Sequence, residues 1–202
     1  TSGNHILTPL KNDVGYTYED FEPIGQLVAA SIILTVNADS PWETLDDLVA
    51  AAREQPGHYL FGAVPNVVPH LTFNALAEAA GIEATHVPQQ GGAPGATALL
   101  AGDIDFLPAN AATVASNLQG GTMRGLAVFG AERDPAFPDI PTAAEQGYEV
   151  YGSPFVGLAV AKGVPDEVLA TLRDAFAEVA NDPAFAERAL ATGTALTYQP
   201  AE

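Results

Sequence analysis

Tyr59-Leu-Phe-Gly-Ala-Val-Pro-Asn-Val-Val-Pro-His-Leu-Thr-Phe-Asn-Ala-Leu-Ala-Glu-Ala-Ala-Gly81 is the stretch from which the fold is read. Tyr59 to Val64 is a short apolar run that suits a buried strand, and Pro65-Asn66 is a turn signal. Pro69 can then take the first position of a helix. Phe73, Leu76, Ala77 and Ala80 repeat at helical spacing, and Gly81 is placed to stop the helix in a left-handed C-terminal cap. The result is a strand, a loop and a helix whose free N–H groups point back over the loop. Such a start attracts anions through unpaired donors and the positive end of the helix dipole. A single unit of this kind reads as an ordinary βα connection, but the sequence builds the junction two more times.

Outward from this stretch the alternation continues. Glu22 to Asn37 is a long extended pattern, and Ser40-Pro-Trp-Glu43 reads as a capping box for a helix burying Leu45, Leu48, Val49 and Ala52. Ala84 to Val87 is a strand, followed by Pro88-Gln-Gln-Gly-Gly-Ala-Pro94 and a helix carrying Ala96, Leu99 and Leu100 to Gly102. Ile104 to Leu107 is a strand that runs through Pro108-Ala-Asn-Ala-Ala112 into a helix ending near Gly120. Met123 to Phe129 and Ser153 to Ala161 read as strands, with a short helix from Thr142 to Gly147 between them. Pro165 opens a helix with Val168, Leu169, Leu172, Phe176 and Val179 inward, and Asp182-Pro183 caps a last one that Gly193 ends. Strands alternating with helices imply an α/β fold with a mostly parallel sheet and helices on both faces.

The composition narrows the function. The 202 residues are 48% hydrophobic and 16% charged, enough for a core and unlike a disordered chain. Seven Lys and Arg stand against 25 Asp and Glu, a net charge of −18, which argues against a nucleic-acid partner or an acidic membrane surface. There is no cysteine, and so no disulfide, thiolate nucleophile or Cys-based zinc site. No apolar run approaches a membrane span, so no direct membrane insertion is expected, and Thr1-Ser-Gly-Asn-His is not a signal peptide.

The three junctions after Phe61, Val87 and Leu107 share one design, and in a parallel sheet they gather at the carboxyl edge of the strands. None of Lys11, Arg53, Arg124, Arg133, Lys162, Arg173 or Arg188 lies in them. The expected site therefore holds an anion through neutral amides from Ala63–His70 (Ala63, Val64, Asn66, Val67, Pro69, His70), Gln89–Ala93 (Gln89, Gly91, Gly92) and Asn110–Ala112 (Asn110, Ala111). Asn66, His70 and Asn110 side chains or bridging water would assist. No nucleophile elbow or P-loop is present, and the histidines His5, His58, His70 and His86 lack metal-ligand spacing, so no catalytic residue, metal or cofactor is expected. His70 at a helix start reads as a neutral donor; a small-molecule enzyme with His70 as acid–base remains the alternative.

Several motifs follow one another in a specific order: Phe61-Gly-Ala with Pro69-His70, His86-Val-Pro-Gln-Gln-Gly-Gly-Ala-Pro94, Leu99-Leu-Ala-Gly-Asp-Ile-Asp105, Met123-Arg-Gly-Leu-Ala-Val128, Phe137-Pro-Asp-Ile-Pro-Thr-Ala-Ala-Glu145 and Gly147-Tyr-Glu-Val150. Together they resemble the substrate-binding receptors of tripartite tricarboxylate transporters, the Bug-type periplasmic solute receptors, over nearly the whole chain. The resemblance implies a type II periplasmic-binding-protein fold with two lobes around a cleft. It also implies a periplasmic receptor, a monomer when complete, that captures a small di-, tri- or aromatic carboxylate for the transporter's membrane subunits. By the same resemblance residues 38–149 form the second lobe, and residues 1–37 with 150–202 form the first. Ser2, Ser153 and Phe155 then face the ligand. The first lobe would lack an upstream strand and Gly-Gly loop, which leaves a truncated, non-binding interaction domain as a further alternative. Ala63-Val-Pro-Asn-Val-Val68 departs from the Ser/Gly-rich loop usual in the family, and Gln89 stands where a tyrosine is common.

Overall fold

A computed structural model describes residues 8–10, 12–191 and 196–201. By internal contacts the chain divides into two units: Ala30–Ser153, and Thr1–Ala29 together with Pro154–Glu202.

The Ala30–Ser153 unit is built on a five-stranded sheet of order β4-β3-β5-β2-β6, with β2 Ile32–Asn37, β3 Leu60–Ala63, β4 Thr85–Pro88, β5 Phe106–Asn110 and β6 Met123–Val128. β3 runs parallel to β4 and β5, whereas β2 runs antiparallel to β5 and β6 on its two sides. Four strands are therefore parallel and β2 is reversed among them, although the resemblance assigns Thr1–Asn37 to the other lobe. β2 is apolar but for the terminal Asn37 and Thr35, whose hydroxyl donates to the Leu107 carbonyl at 2.9 Å, so Ile32–Val36 can be buried on both faces. Four helices accompany the sheet: α1 Leu45–Glu54, α2 Val68–Ala80, α3 Gly92–Ala101 and α4 Ala111–Gln119. Leu45, Leu48, Val49 and Ala52 of α1 and Phe73, Leu76 and Ala80 of α2 are buried in one core with Phe61 and Phe106. Leu99 of α3, Val114 of α4, Ile104 and Leu107 form a second core.

Gly81, Gly102 and Gly147 adopt φ of 62°, 79° and 90° at the stops read from the sequence, a region that costs glycine little. Other readings shift. α1 begins at Leu45, capped by Thr44 and Asp47, not by Ser40 and Glu43. The Asp47 carboxylate accepts the Thr44 and Glu43 N–H groups, while the Ser40 and Trp42 carbonyls accept from the Arg124 guanidinium. The extended pattern over Glu22–Asn37 is broken between Ala29 and Ile32 into two strands in different sheets. Pro108 lies inside β5, opposite Leu34, because pairing with β3 ends at Phe106 and no partner needs its missing N–H on that side. Leu100 faces solvent.

The other unit holds a three-stranded antiparallel sheet of order β7-β1-β8, with β1 Phe21–Ala29, β7 Phe155–Ala161 and β8 Gln199–Pro200. Helix α5 Asp166–Ala180 packs on β1, where Phe176 fills the space a Cβ at Gly25 would take, and Arg173 donates to the Pro23 carbonyl at 3.0 Å. Leu169 is buried as read, but Val168 and Val179 are exposed, since so small a sheet covers only one stripe of the helix. Helix α6 Pro183–Ala191 starts at Asp182, whose carboxylate accepts the Ala184 N–H at 2.8 Å. Gly193, expected to end it, and Ser2 lie outside the described residues. No helix among the described residues is long and apolar enough to cross a membrane.

Candidate functional site

The parallel strands β4, β3 and β5 each run through a short connection into a helix, so the starts of α2, α3 and α4 lie at one edge of the sheet. None of these starts is capped by a side chain. Val67, Gly91 and Asn110 hold the capping positions and make no side-chain cap bond, in contrast to Thr44 before α1, whose hydroxyl accepts the Asp47 N–H at 3.2 Å. An uncapped start leaves its first amides without an intrahelical acceptor. The positive helix end adds to them, so an anion is the natural occupant of each.

The starts are locked to one another. The Gln89 N–H before α3 donates to the Ala63 carbonyl at the end of β3, at 2.9 Å. Gly92, the first residue of α3, abuts Thr113 in the first turn of α4 so closely that a Cβ on Gly92 would meet the Thr113 Cγ2 at 2.8 Å. Ala30 and Ser31 reach the same edge: the Ala111 N–H donates to the Ser31 carbonyl at 2.8 Å, and the Ser153 hydroxyl donates to the Ala30 carbonyl at 3.0 Å.

These bonds sort the donors expected from the sequence. The amides of Asn66, Gln89 and Ala111 are already committed, to His70 Nδ1, Ala63 O and Ser31 O. Pro69 and Pro94 carry no N–H. Helix geometry leaves Val68, Gly92, Ala93, Ala112 and Thr113 as first-turn amides aimed off the helix ends. Gln89 does not point outward: its Cγ lies 3.3 Å from where a Cβ at Gly62 would sit, and its Nε2 reaches the Val87 carbonyl at 3.4 Å. Asn110 Oδ1 is buried and has no hydrogen-bond partner among the described residues. Val64 is half-buried at the end of β3. Phe155 belongs to the other unit, on β7, opposite Ala29.

Two histidines shape the first loop. Asn66 has a positive φ of 63°, which an asparagine tolerates better than most residues, and this turn brings its N–H to 3.0 Å from His70 Nδ1. The His70 ring stacks on His86, with centroids 4.2 Å apart and planes at 26°. His86 Nε2 lies 2.9 Å from the Ala63 carbonyl, and its ring leans on Phe61. The sequence names both histidines but gives no sign of their pairing, because they sit on a helix and a strand joined only through the sheet.

The four arginines of the Ala30–Ser153 unit and of α5 are occupied elsewhere. Arg53 donates to the Ala80 carbonyl, Arg124 to Ser40 and Trp42, Arg173 to Pro23, and Arg133 pairs with Glu145 at 2.9 Å while also donating to the Pro138 carbonyl. The Arg133 guanidinium, followed by the Thr142 N–H, holds the Glu145 carboxyl below the usual carboxylate range. Asp105 accepts the Leu60 N–H at 2.7 Å. No group of three or more His, Asp or Glu side chains placed to hold a metal occurs among the described residues.

A cavity of about 750 Å³ lies in the other unit, as an open groove along β1 and β7 past Phe21, Pro23, Gln26, Phe155 and Lys162. Volume alone does not make it the anion site: Glu19 and Glu22 also line it against the single Lys162, and it presents no helix start.

The Ala30–Ser153 unit thus carries a mixed α/β sheet with three uncapped helix starts at the carboxyl edge of its parallel strands. The model of the tripartite tricarboxylate transporter family receptor matches residues 4–201, and the chain belongs to that family. The family is one of receptors, not of enzymes. The chain is 31% identical over 170 residues to the UPF0065 protein of the gbd 5′ region of Cupriavidus necator, covering 84% of this chain and 52% of that protein. It is 28% identical to BugT of Bordetella pertussis over 181 residues, covering 87% and 54%. Among solved structures, a TctC solute-binding protein from Polaromonas superposes with a TM-score of 0.91 at 29% identity, over 100% of this chain and 69% of that one. R. palustris Rpa4515, solved with adipate, gives 0.80 at 24% identity over 97% and 67%. MatC from Rhodopseudomonas palustris, solved with malate, gives 0.76 at 22% over 96% and 67%. These last two likenesses concern the fold. Together with the Polaromonas protein they bear out the periplasmic-binding-protein fold that the resemblance implies. The chain spans about half the length of the curated relatives.

Proposed function

We propose that this chain carries the ligand-gripping part of an extracytoplasmic receptor that captures a small organic carboxylate and hands it to the membrane subunits of a tripartite transporter. The observation that carries the reading is the gathering of three uncapped helix starts at one sheet edge, with no lysine or arginine in any of the three loops. Each charge-assisted hydrogen bond from such an amide contributes about 1.5–3 kcal/mol, so two or three offset the lack of a cation. Family membership supports the receptor role and a periplasmic location, and the adipate and malate held by two proteins of like fold support a dicarboxylate. Val68, Gly92, Ala93, Ala112 and Thr113 supply the backbone donors in this reading, with Asn66, His70 and Asn110 beside them. Ser153 adds its hydroxyl oxygen as an acceptor for bridging water.

Thermal shift across a panel of succinate, malate, adipate, citrate and benzoate tests it. A binder at a hundred times its Kd raises stability by about 2.7 kcal/mol. A panel in which none of the acids moves the melting temperature contradicts the receptor reading for this chain.

A further inference from the structure

We propose that carboxylate capture by this chain is coupled to uptake of a proton by the stacked His70–His86 pair, with His86 taking the proton and so supplying the cation that the loops otherwise lack. The inference rests on the carboxylate-receptor reading above.

The two rings are not equivalent. His70 Nδ1 accepts the Asn66 N–H at 3.0 Å, so a proton on that nitrogen would set N–H against N–H and break the bond that holds the turn. His86 faces a carbonyl, Ala63 O at 2.9 Å, through Nε2, so Nε2 is its donor and Nδ1 is the nitrogen that can take a proton. Adding the proton there costs no bond and strengthens the one to Ala63. A cationic ring over a neutral one is a favourable stack, whereas two cations with centroids 4.2 Å apart repel, so the pair holds one proton at most. Imidazole is the side chain whose charge ordinarily changes between pH 5 and 8.

Among the described residues no carboxylate pairs with His86. β3 offers Phe61 and the Ala63 carbonyl, α2 offers His70, and behind Phe61 lie Phe73 of α2 and Phe106 of β5. The ionisable residues of these elements lie away from the loop: Asp105 is bonded to the Leu60 N–H at the start of β3, Glu78 is two turns further along α2, and Glu83 precedes β4. An anion at the α2 start, beside Ala63 and Asn66, is then the charge that the ring responds to. A neighbouring negative charge favours the protonated imidazole, and by linkage the protonated imidazole favours the anion.

The test is calorimetric titration of the chain with malate and adipate between about pH 6 and 8, in buffers of differing ionisation enthalpy. We expect a net proton uptake on binding within this range and an affinity that rises about three- to tenfold from pH 8 to pH 6, a full unit of imidazole shift being tenfold. His86→Gln retains a donor for Ala63 O but cannot take a proton, so it should lose both the uptake and the pH slope. His58→Gln, on a ring stacked edge-on to Tyr59, should leave the uptake unchanged. Binding with no buffer dependence, or uptake that persists in His86→Gln, overturns the inference and leaves the receptor reading standing. Absence of binding to both acids at every pH removes the inference and the receptor reading together.

Discussion

Gly92→Ala isolates the contact that sets two of the helix starts side by side. Its new Cβ would lie 2.8 Å from Thr113 Cγ2 and 3.1 Å from Thr113 Oγ1, whereas carbon atoms rest at about 3.5–4.0 Å. The starts of α3 and α4 must then separate by about 1 Å. A hydrogen bond stretched by that much is largely lost, so binding should weaken by about 1.5–3 kcal/mol, ten- to over a hundredfold in Kd. Stability should change little, because alanine gains up to about 1 kcal/mol over glycine in a helix and offsets the local strain. The Thr113→Ala change removes both close atoms and leaves Cβ at 3.5 Å, an ordinary contact. The double variant should therefore recover most of the affinity, and calorimetry with malate or adipate on all four proteins gives the coupling energy directly. Wild-type affinity in Gly92→Ala, or a double variant no better than the single, would refute the idea that these two helix starts share one ligand.

Three further outcomes follow from the same geometry. Asn110→Ala should weaken carboxylate binding only a few-fold, since the backbone donors stay, whereas Asn110→Asp sets a like charge at the α4 start and should abolish binding in the same titration. Glu145 has a depressed folded-state pKa, so the stability it adds is present above the usual carboxylate range and is lost as pH falls through its lower folded value. Glu145→Gln should accordingly flatten the loss of melting temperature in acid without altering ligand affinity at neutral pH. Gly152→Ala drives a methyl group into the Thr72 side chain, which is buried and donates to the Val68 carbonyl, and should cost about 1–3 kcal/mol in urea unfolding.

Much of the fold is legible because single residues mark it. Gly81, Gly102 and Gly147 read as helix ends and adopt the left-handed conformation that only glycine takes cheaply. The inward face of α1 is given by spacing alone, yet its start is missed, since Ser40-Pro-Trp-Glu43 and Thr44-Leu-Asp-Asp47 match one capping pattern and only the tertiary bond from Arg124 removes the first from competition. The reversed direction of β2 is invisible locally, because an apolar strand reads alike in either sense. Val168 and Val179 read as core from periodicity, but no second layer of their own unit covers them. At the candidate site the loops and the lack of cations are plain in the sequence. Which amides are already used is not, since Asn66, Gln89 and Ala111 find their acceptors through contacts that form only on folding.

The central claim is that neutral amides at three helix starts grip the carboxylate, and amide chemical-shift mapping on the nitrogen-15-labelled chain tests it most directly. On titration with malate or adipate, the largest shifts should fall on Val68, Gly92, Ala93, Ala112 and Thr113, with Asn66 following through its bond to His70. Shifts confined to Phe21, Gln26, Phe155 and Lys162 along the groove of the other unit, with those helix-start amides unmoved, would contradict it.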